Sequence, residues 1–350
     1  MAAAASQSGS YCVINRNPEC KIWYERLGDL TSDIRVMFVM GLNMSHRSWQ
    51  MQVQHFCNAK MQVLHFDNRG VHRSSAPPGP YTTELMAHDA LILASDLGWA
   101  TFHLVGVSMG GMIAQRIAAI SPKRVLSLSL IATRPGGSVL GDLPTMSGIG
   151  AFLNLRYEKD QAKRMPKALK LLFPDAFLNQ IDPADEQKRT FRAIIGEKFN
   201  LIHDEEPPTP PHGTEAQTRA AIGHVLSAAE ALAIKSAAFP VLILHGEDDQ
   251  LIKVVNARKL HEMIGGELKI YAGVGHGINV QEHVDVNARI EAHIRKAHAA
   301  AVSSGASTAS ADAVTADEKE SRAVASAGAD DDPDAESARE VSSSDETAVE

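Results

Sequence analysis

The strongest constraint on the fold is a series of short, almost continuously apolar segments that alternate with segments of helical periodicity. The apolar segments are 34–40, 61–66, 101–107, 125–132, 241–245 and 268–272, and helical patterns occupy 83–97, 111–120 and 254–264. Strands that are buried on both faces of a parallel sheet have this composition. The alternation therefore predicts a doubly wound, mostly parallel α/β sheet. Segments 11–15 and 21–27 predict an antiparallel hairpin at one edge of it.

The alternation is interrupted once, over residues 134–238, where no strand-like segment occurs. Amphipathic patterns at 161–172, 186–199 and 214–236 predict helices there. We interpret the segment as a helical lid inserted between two parts of one core, 11–133 and 239–298, with a separate small helical domain as the alternative. Its apolar side chains fit a hydrophobic substrate, or they only pack the lid helices together: Met146, Phe152, Leu153, Leu171, Leu172, Phe173 and Phe177.

The net charge of −8 comes from the C-terminal tail. Residues 301–350 contain 13 acidic and three basic side chains, whereas the preceding 300 residues have a net charge of +2. The Ala/Ser/Asp/Glu composition of 299–350 predicts a disordered tail, whose protein partner stays unknown, and residues 1–10 are also expected to be disordered. The nearly neutral remainder shows no nucleic-acid footprint.

Cysteine usage and hydropathy indicate which cellular compartment and which relation to a membrane to expect. Three cysteines form no disulfide framework and no metal-binding pair, so a reducing compartment is expected, with the cytoplasm as the default. No segment approaches the roughly 20 apolar residues that a transmembrane helix requires, so none is predicted.

The most informative motif is Gly106-Val107-Ser108-Met109-Gly110, which lies between a predicted strand and a predicted helix. In this context a G-x-S-x-G string predicts a nucleophile elbow, a sharp turn that exposes the serine hydroxyl at the carboxyl end of the sheet. The helix N-terminus beneath it favours developing negative charge. Ser108 is therefore the candidate nucleophile.

A serine nucleophile needs a base and an acid that orients the base, and in this architecture they follow in the order acid, then histidine. The loop after segment 241–245 offers three carboxylates, Glu247, Asp248 and Asp249. We favour Asp249, with Asp248 next. The loop after segment 268–272 presents His276 between glycines, and His276 is the candidate base. His245, at the end of a strand, is interpreted as structural.

An oxyanion hole requires two backbone N–H groups that point at the substrate oxygen. Met109, the residue after the nucleophile, is expected to provide one of them. The second is expected from the loop after the first long parallel strand, where Gly41 permits an unusual turn and Leu42 follows it.

These motifs together resemble those of the α/β-hydrolase fold family. The resemblance covers residues 11–298 apart from the lid. Four features carry it: Met-Gly-Leu-Asn at 40–43, Asp-Asn-Arg-Gly-Val-His-Arg-Ser at 67–74, Gly-Val-Ser-Met-Gly-Gly at 106–111, and the paired Gly-Glu-Asp-Asp and Gly-Val-Gly-His loops. It implies a triad of Ser108, Asp249 and His276 with Leu42 and Met109 as oxyanion donors.

The sequence departs from the family pattern at two positions. Met40 stands where the family often has histidine, which removes a supporting hydrogen bond but not the backbone donor. His72 replaces a glycine of the second motif, and histidine is among the better-tolerated side chains if that position requires a positive φ.

These residues predict a serine hydrolase that cleaves a small hydrophobic carboxylic ester, with neither cofactor nor metal. The same triad could instead hydrolyse a C–C bond, a lactone or a thioester, or transfer an acyl group, because fold and triad do not specify the substrate. A hypothesis of another class is a ligand-binding or signalling protein on a hydrolase scaffold.

Overall fold

The computed structural model describes residues 9–16, 18–137, 144–148, 150, 158, 160–304 and 323. Eight strands lie within them: β1 (Ser10–Arg16), β2 (Glu19–Gly28), β3 (Arg35–Val39), β4 (Gln62–Phe66), β5 (Phe102–Val107), β6 (Val125–Ile131), β7 (Val241–Gly246) and β8 (Glu267–Tyr271). They form one sheet in the order β1-β2-β4-β3-β5-β6-β7-β8. Strand β2 pairs antiparallel with β1 and β4, and all other pairs are parallel. The α/β sheet and its edge hairpin, which the sequence predicted, are confirmed.

The bounds of eleven α-helices lie within the described residues. They are α1 (Gln50–Asn58), α2 (Thr83–Asp96), α3 (Met109–Ile120), α4 (Gln161–Leu172), α5 (Asp175–Leu178), α6 (Phe191–Glu205), α7 (Pro211–Ile222), α8 (Ala228–Ser236), α9 (Val255–Ile264), α10 (Ile278–Gln281) and α11 (His283–Ser303). None of them is long and apolar enough to cross a membrane.

Both faces of the sheet are buried because successive side chains of each strand alternate between two hydrophobic cores. In β3, Met37 contributes to the core beneath α2, α3, α8 and α9, while Phe38 contributes to the core beneath α1 and α11. This two-sided burial explains why the strands are almost continuously apolar.

The structure divides the predicted lid 134–238 into two parts. Helices α4, α5 and α6 share a small hydrophobic cluster of their own, which includes Leu169, Phe173 and Ile195. Helices α7 and α8 instead contribute side chains such as Ala216 and Ile234 to the main core. Part of the insertion therefore belongs to the layer that covers the sheet, and residues 138–143, 149, 151–157 and 159, with Phe152 and Leu153, lie outside the described residues.

Two predicted lid helices have different bounds in the structure. The helical pattern at 214–236 is divided between two helices, because α7 ends before Gly223 and α8 begins after Ser227. The side chains of Ser227 and Glu230 form a reciprocal capping box, which starts a new helix at this point. The helix predicted at 186–199 begins later, at Phe191, because the Thr190 side chain caps α6.

The regular structure extends beyond the predicted boundaries of the core, 11 and 298, at both ends. Strand β1 begins at Ser10, inside the segment predicted to be disordered. Helix α11 continues to Ser303, so residues 299–303 are helical and the predicted start of the tail was too early. Almost all of the predicted disordered termini, 1–8 and 305–350 apart from residue 323, lies outside the described residues.

A buried ion pair fixes the loop after β4 to helix α2. The Arg69 guanidinium donates two hydrogen bonds of 2.6 Å to the Asp89 carboxylate, and both side chains are almost fully buried. Burial opposes the charge on Arg69, but Asp89 outweighs it and raises the pKa of the guanidinium. The pair positions a loop that contacts the candidate site.

Replacing Asp89 should therefore destabilise the fold strongly. Asp89→Ala leaves Arg69 charged, buried and unpaired, and we expect a loss of about 3–5 kcal/mol in the free energy of unfolding, measured by urea denaturation. Glu215→Ala is the matched control, because Glu215 pairs with Arg219 at the surface; its effect should stay below about 0.5 kcal/mol. Equal effects of the two substitutions would contradict a structural role for the buried pair.

Candidate active site

The three side chains predicted to act together lie at one edge of the sheet. Ser108 directly follows β5, Asp249 lies in the loop after β7, and His276 lies in the loop after β8. These three strands are parallel, so their carboxyl ends meet at the same edge. Sites in open α/β sheets lie at this edge.

Ser108 occupies a strained backbone conformation between strand and helix. Its φ of 56° and ψ of −121° lie outside both the strand and the helix regions. Its N–H donates to the carbonyl of Ile131 at 2.9 Å, and its carbonyl accepts from the Thr133 hydroxyl at 2.7 Å. Neighbouring strand β6 and the residues after it therefore hold the turn from both sides.

The loop after β3 approaches the nucleophile closely. A Cβ atom added to Gly41 would lie 3.2 Å from Cβ of Ser108 and 3.7 Å from its Oγ. Leu42 follows directly, and Met109 is the first residue of α3, where a helical N–H has no intrahelical acceptor. Within the described residues neither N–H has a hydrogen-bond partner. The predicted oxyanion donors therefore flank Ser108.

Asp249 and His276 form the predicted hydrogen-bonded pair. His276 Nδ1–H donates to Oδ2 of Asp249 at 2.7 Å, and both side chains are buried. The other carboxylate oxygen, Oδ1, accepts from the backbone N–H groups of Leu251 and Ile252, each at 2.8 Å. These bonds fix the carboxylate, and the carboxylate fixes the tautomer that leaves His276 Nε2 able to accept a proton.

Burial distinguishes Asp249 from the two other candidate acids in the same loop. Glu247 and Asp248 are exposed, whereas Asp249 is 2% exposed. His245 lies 3.4 Å from Asp249 but donates through Nε2 to the Ile252 carbonyl at 2.7 Å. Burial lowers the pKa of His245, which agrees with its interpretation as a neutral structural residue.

The structure also identifies residues that the sequence analysis did not consider. Gln217 of α7 is fully buried; its Oε1 accepts from the Asn43 N–H at 2.9 Å and its Nε2 donates to the Arg69 carbonyl at 2.8 Å. Thr214 donates its hydroxyl to the Asn43 side chain at 2.9 Å. The insertion thus holds the loop that carries Leu42. No local pattern could have revealed this, because Gln217 is 174 residues from Asn43 along the chain.

The structure accommodates His72, one of the two departures from the family pattern. His72 has a φ of 46°, the positive value that the glycine pattern suggested. Its ring Nδ1 lies 3.0 Å from the Pro207 carbonyl, and its N–H donates to the Thr209 hydroxyl. Histidine at this position therefore connects the second motif with the insertion.

Residues of the helical insertion lie against the loop that carries His276. The Gly277 N–H donates to the Leu172 carbonyl at 2.8 Å, and the Phe173 ring packs so closely on Gly277 that a Cβ there would lie 2.3 Å from it. Phe173 and Phe177 are buried in the cluster shared by α4 to α6, whereas Met146 is 84% exposed. Phe173 and Phe177 thus have a packing role.

Sequence comparison agrees with the fold and the arrangement of the site. The profile of the alpha/beta hydrolase fold family matches residues 34–282, which is most of the chain. The chain belongs to this family, as the sequence motifs had indicated.

Individual relatives show which activities occur among similar proteins. The chain is 25% identical over 307 residues to rhodomycin D methylesterase DnrP of Streptomyces peucetius, covering 80% of this chain and 97% of that protein. It is 38% identical over 100 residues to BpoC of Mycobacterium tuberculosis, whose name describes it provisionally as a non-heme bromoperoxidase. The match covers 28% of this chain and 38% of that protein. The crystal structure of the enol-lactonase from Burkholderia xenovorans LB400 aligns with a TM-score of 0.66 at 19% identity, covering 82% of this chain and 100% of that one.

Removing the Gln217 side chain should loosen the loop that carries Leu42. Gln217→Leu leaves the Asn43 N–H and the Arg69 carbonyl without partners, and we expect a loss of about 1–3 kcal/mol in stability. Faster hydrogen exchange at Asn43 should accompany it. Gln187→Leu, which alters an exposed glutamine of the same insertion, is the control. Unchanged exchange at Asn43 in Gln217→Leu would show that Gln217 does not hold the loop.

Proposed function

We propose that this protein is a serine hydrolase that cleaves carboxylic esters through Ser108, His276 and Asp249. The observation that carries the proposal is the convergence of a strained serine turn and a buried Asp249–His276 pair at one sheet edge. Family membership and the similarity to a methylesterase over 80% of the chain support it.

In the proposed reaction, the Ser108 hydroxyl attacks the acyl carbon and His276 Nε2 accepts its proton. The resulting imidazolium keeps its Nδ1–H bond to the Asp249 carboxylate, which stabilises the positive charge. Breakdown of the tetrahedral intermediate expels the alcohol, and His276 returns the proton to it. Water then hydrolyses the acyl-enzyme by the same two proton transfers.

Charge develops on the substrate oxygen during both steps. The N–H groups of Leu42 and Met109 lie beside Ser108 and are suited to donate to this oxyanion. Each such donor accounts for about 2.7–4 kcal/mol of transition-state stabilisation in other enzymes. The bonds from Gln217 and Thr214 to Asn43 favour a loop that is preorganised before substrate binds.

A small hydrophobic ester is the proposed substrate class, with C–C bonds, lactones, thioesters and acyl transfer as alternatives for the same groups. The proposed reaction uses protein groups and water. A panel of esters of graded acyl length, lactones and thioesters distinguishes these substrates, because transition-state binding differs among them.

The first test is covalent labelling of the purified protein with a fluorophosphonate probe. We expect labelling of the wild type and its complete loss in Ser108→Ala. Ser236→Ala is the control, because Ser236 is exposed at the end of α8. A folded wild type that does not react would contradict the proposal and favour a ligand-binding protein on a hydrolase scaffold.

A second test distinguishes the candidate acids. Asp249→Asn should reduce ester turnover by about 10⁴-fold, because an amide cannot hold His276 in the tautomer that accepts the serine proton. Asp248→Asn should change turnover less than about twofold, since Asp248 is exposed and its neighbour makes the bond to His276. Steady-state ester hydrolysis measures both; a larger loss in Asp248→Asn would reverse the assignment.

A further inference from the structure

A second group of titratable side chains lies beneath the loop that follows β3. It consists of Glu25 on β2, His46 in the short 3-10 helix His46–Trp49, and His65 on β4. One carboxylate oxygen and one ring nitrogen from each histidine all lie within 4.8 Å of one another. The proposed hydrolysis uses none of these groups.

Both histidines are oriented with Nε2 toward the middle of the group. His46 Nδ1 bonds Oδ1 of Asp67 at 2.8 Å, and His65 Nδ1 lies 3.2 Å from the His46 carbonyl. Each Nδ1–H is thus the donor, which leaves Nε2 with a free lone pair when the ring is neutral. Histidines that bind metals almost always donate their other N–H to a carboxylate or a carbonyl in this way.

The two Nε2 atoms are buried, and Glu25 is the group that contacts both of them. His46 is 1% exposed and His65 is 3% exposed, and neither Nε2 makes a hydrogen bond within the described residues. Glu25 oxygens lie 3.6 Å from His46 Nε2 and 3.2 Å from His65 Nε2. In a tetrahedral site with metal–ligand bonds of about 2.0 Å, neighbouring ligand atoms lie about 3.3 Å apart, which is close to these separations.

The charges around the group suit a divalent cation. The Glu25 carboxylate is part of the group, and the Asp67 carboxylate lies beside it and bonds His46 Nδ1. These two carboxylates would offset the charge of a bound cation.

We propose that Glu25, His46 and His65 form a binding site for a divalent transition-metal ion of the Zn²⁺ type, with Asp67 orienting His46. Two imidazoles and one carboxylate suit Zn²⁺, and the 30% exposure of the Glu25 side chain lets water complete the coordination. The sequence predicted no metal site because the ligands come from three separate elements, with no metal-ligand spacing.

The bound ion would join three parts of the fold. It would bond at once to strand β2, the segment at His46 and strand β4. Asp67 lies next to this site, and its Oδ1 also accepts the His46 N–H at 2.8 Å. Because His46 ends the loop that begins at Gly41, the site lies in the segment that carries Leu42. The ion is therefore expected to stabilise this segment of the native state.

Cobalt(II) titration of the chelator-treated full chain tests the proposal. We expect one equivalent to bind and to produce the visible absorption of a tetrahedral N/O site, which Zn²⁺ then abolishes. Zn²⁺ at about a hundredfold excess over its Kd should raise the melting temperature by about 5 °C. Glu25→Gln and His65→Gln should each weaken Co²⁺ binding at least about tenfold.

Glu291→Gln is the matched control, because Glu291 also contacts a histidine, His55, at 2.7 Å but belongs to no cluster of three potential ligands in the part of the chain that the structure describes. It should bind Co²⁺ as the wild type does. Absence of binding to the wild type, or equal binding by the wild type and Glu25→Gln, would overturn the proposal. Glu25→Gln decides the outcome even if His65→Gln fails to fold, because Glu25 is only partly buried.

Discussion

Close packing between the first turn of α3 and strand β3 forces Ser108 out of the strand and helix conformations. A Cβ at Gly110 would lie 2.0 Å from the Val39 carbonyl oxygen, and one at Gly106 would lie 2.4 Å from the Gly110 carbonyl oxygen. The chain therefore turns sharply within one residue, at a backbone strain of the order of 1–3 kcal/mol that the surrounding bonds must offset. The position of the loop at Gly41 depends on this packing.

The insertion bonds two of the loops that carry candidate site residues. Gln217 and Thr214 bond the loop that carries Leu42, while the Leu172 carbonyl bonds the loop that carries His276. Two loops that follow different strands are thereby fixed by one helical insertion. A site needs such support, because small displacements of its groups lower activity.

Asp67 connects the proposed hydrolase site with the proposed metal site. Its Oδ1 accepts both the N–H and the Nδ1–H of His46, and its Oδ2 accepts the Arg73 N–H at 3.3 Å. The Arg73 side chain in turn bonds Glu206 at the end of the lid helix α6. Hydrogen bonds and one ion pair thus extend from beneath the sheet-edge loops to the insertion. An ion bound at His46 would act on the same segment that the insertion holds.

The sequence alone determined the strands, the serine turn and the order of the candidate residues, because apolar runs, glycines and chain order are local properties. It left open whether Asp248 or Asp249 is the candidate acid, since adjacent carboxylates differ only in what their side chains contact after folding. The helical pattern at 214–236 is divided into two helices by a capping box at Ser227, which the periodicity does not show. Only the tertiary structure decided the contacts of Gln217 and the group at Glu25, because these depend on distances between segments far apart along the chain.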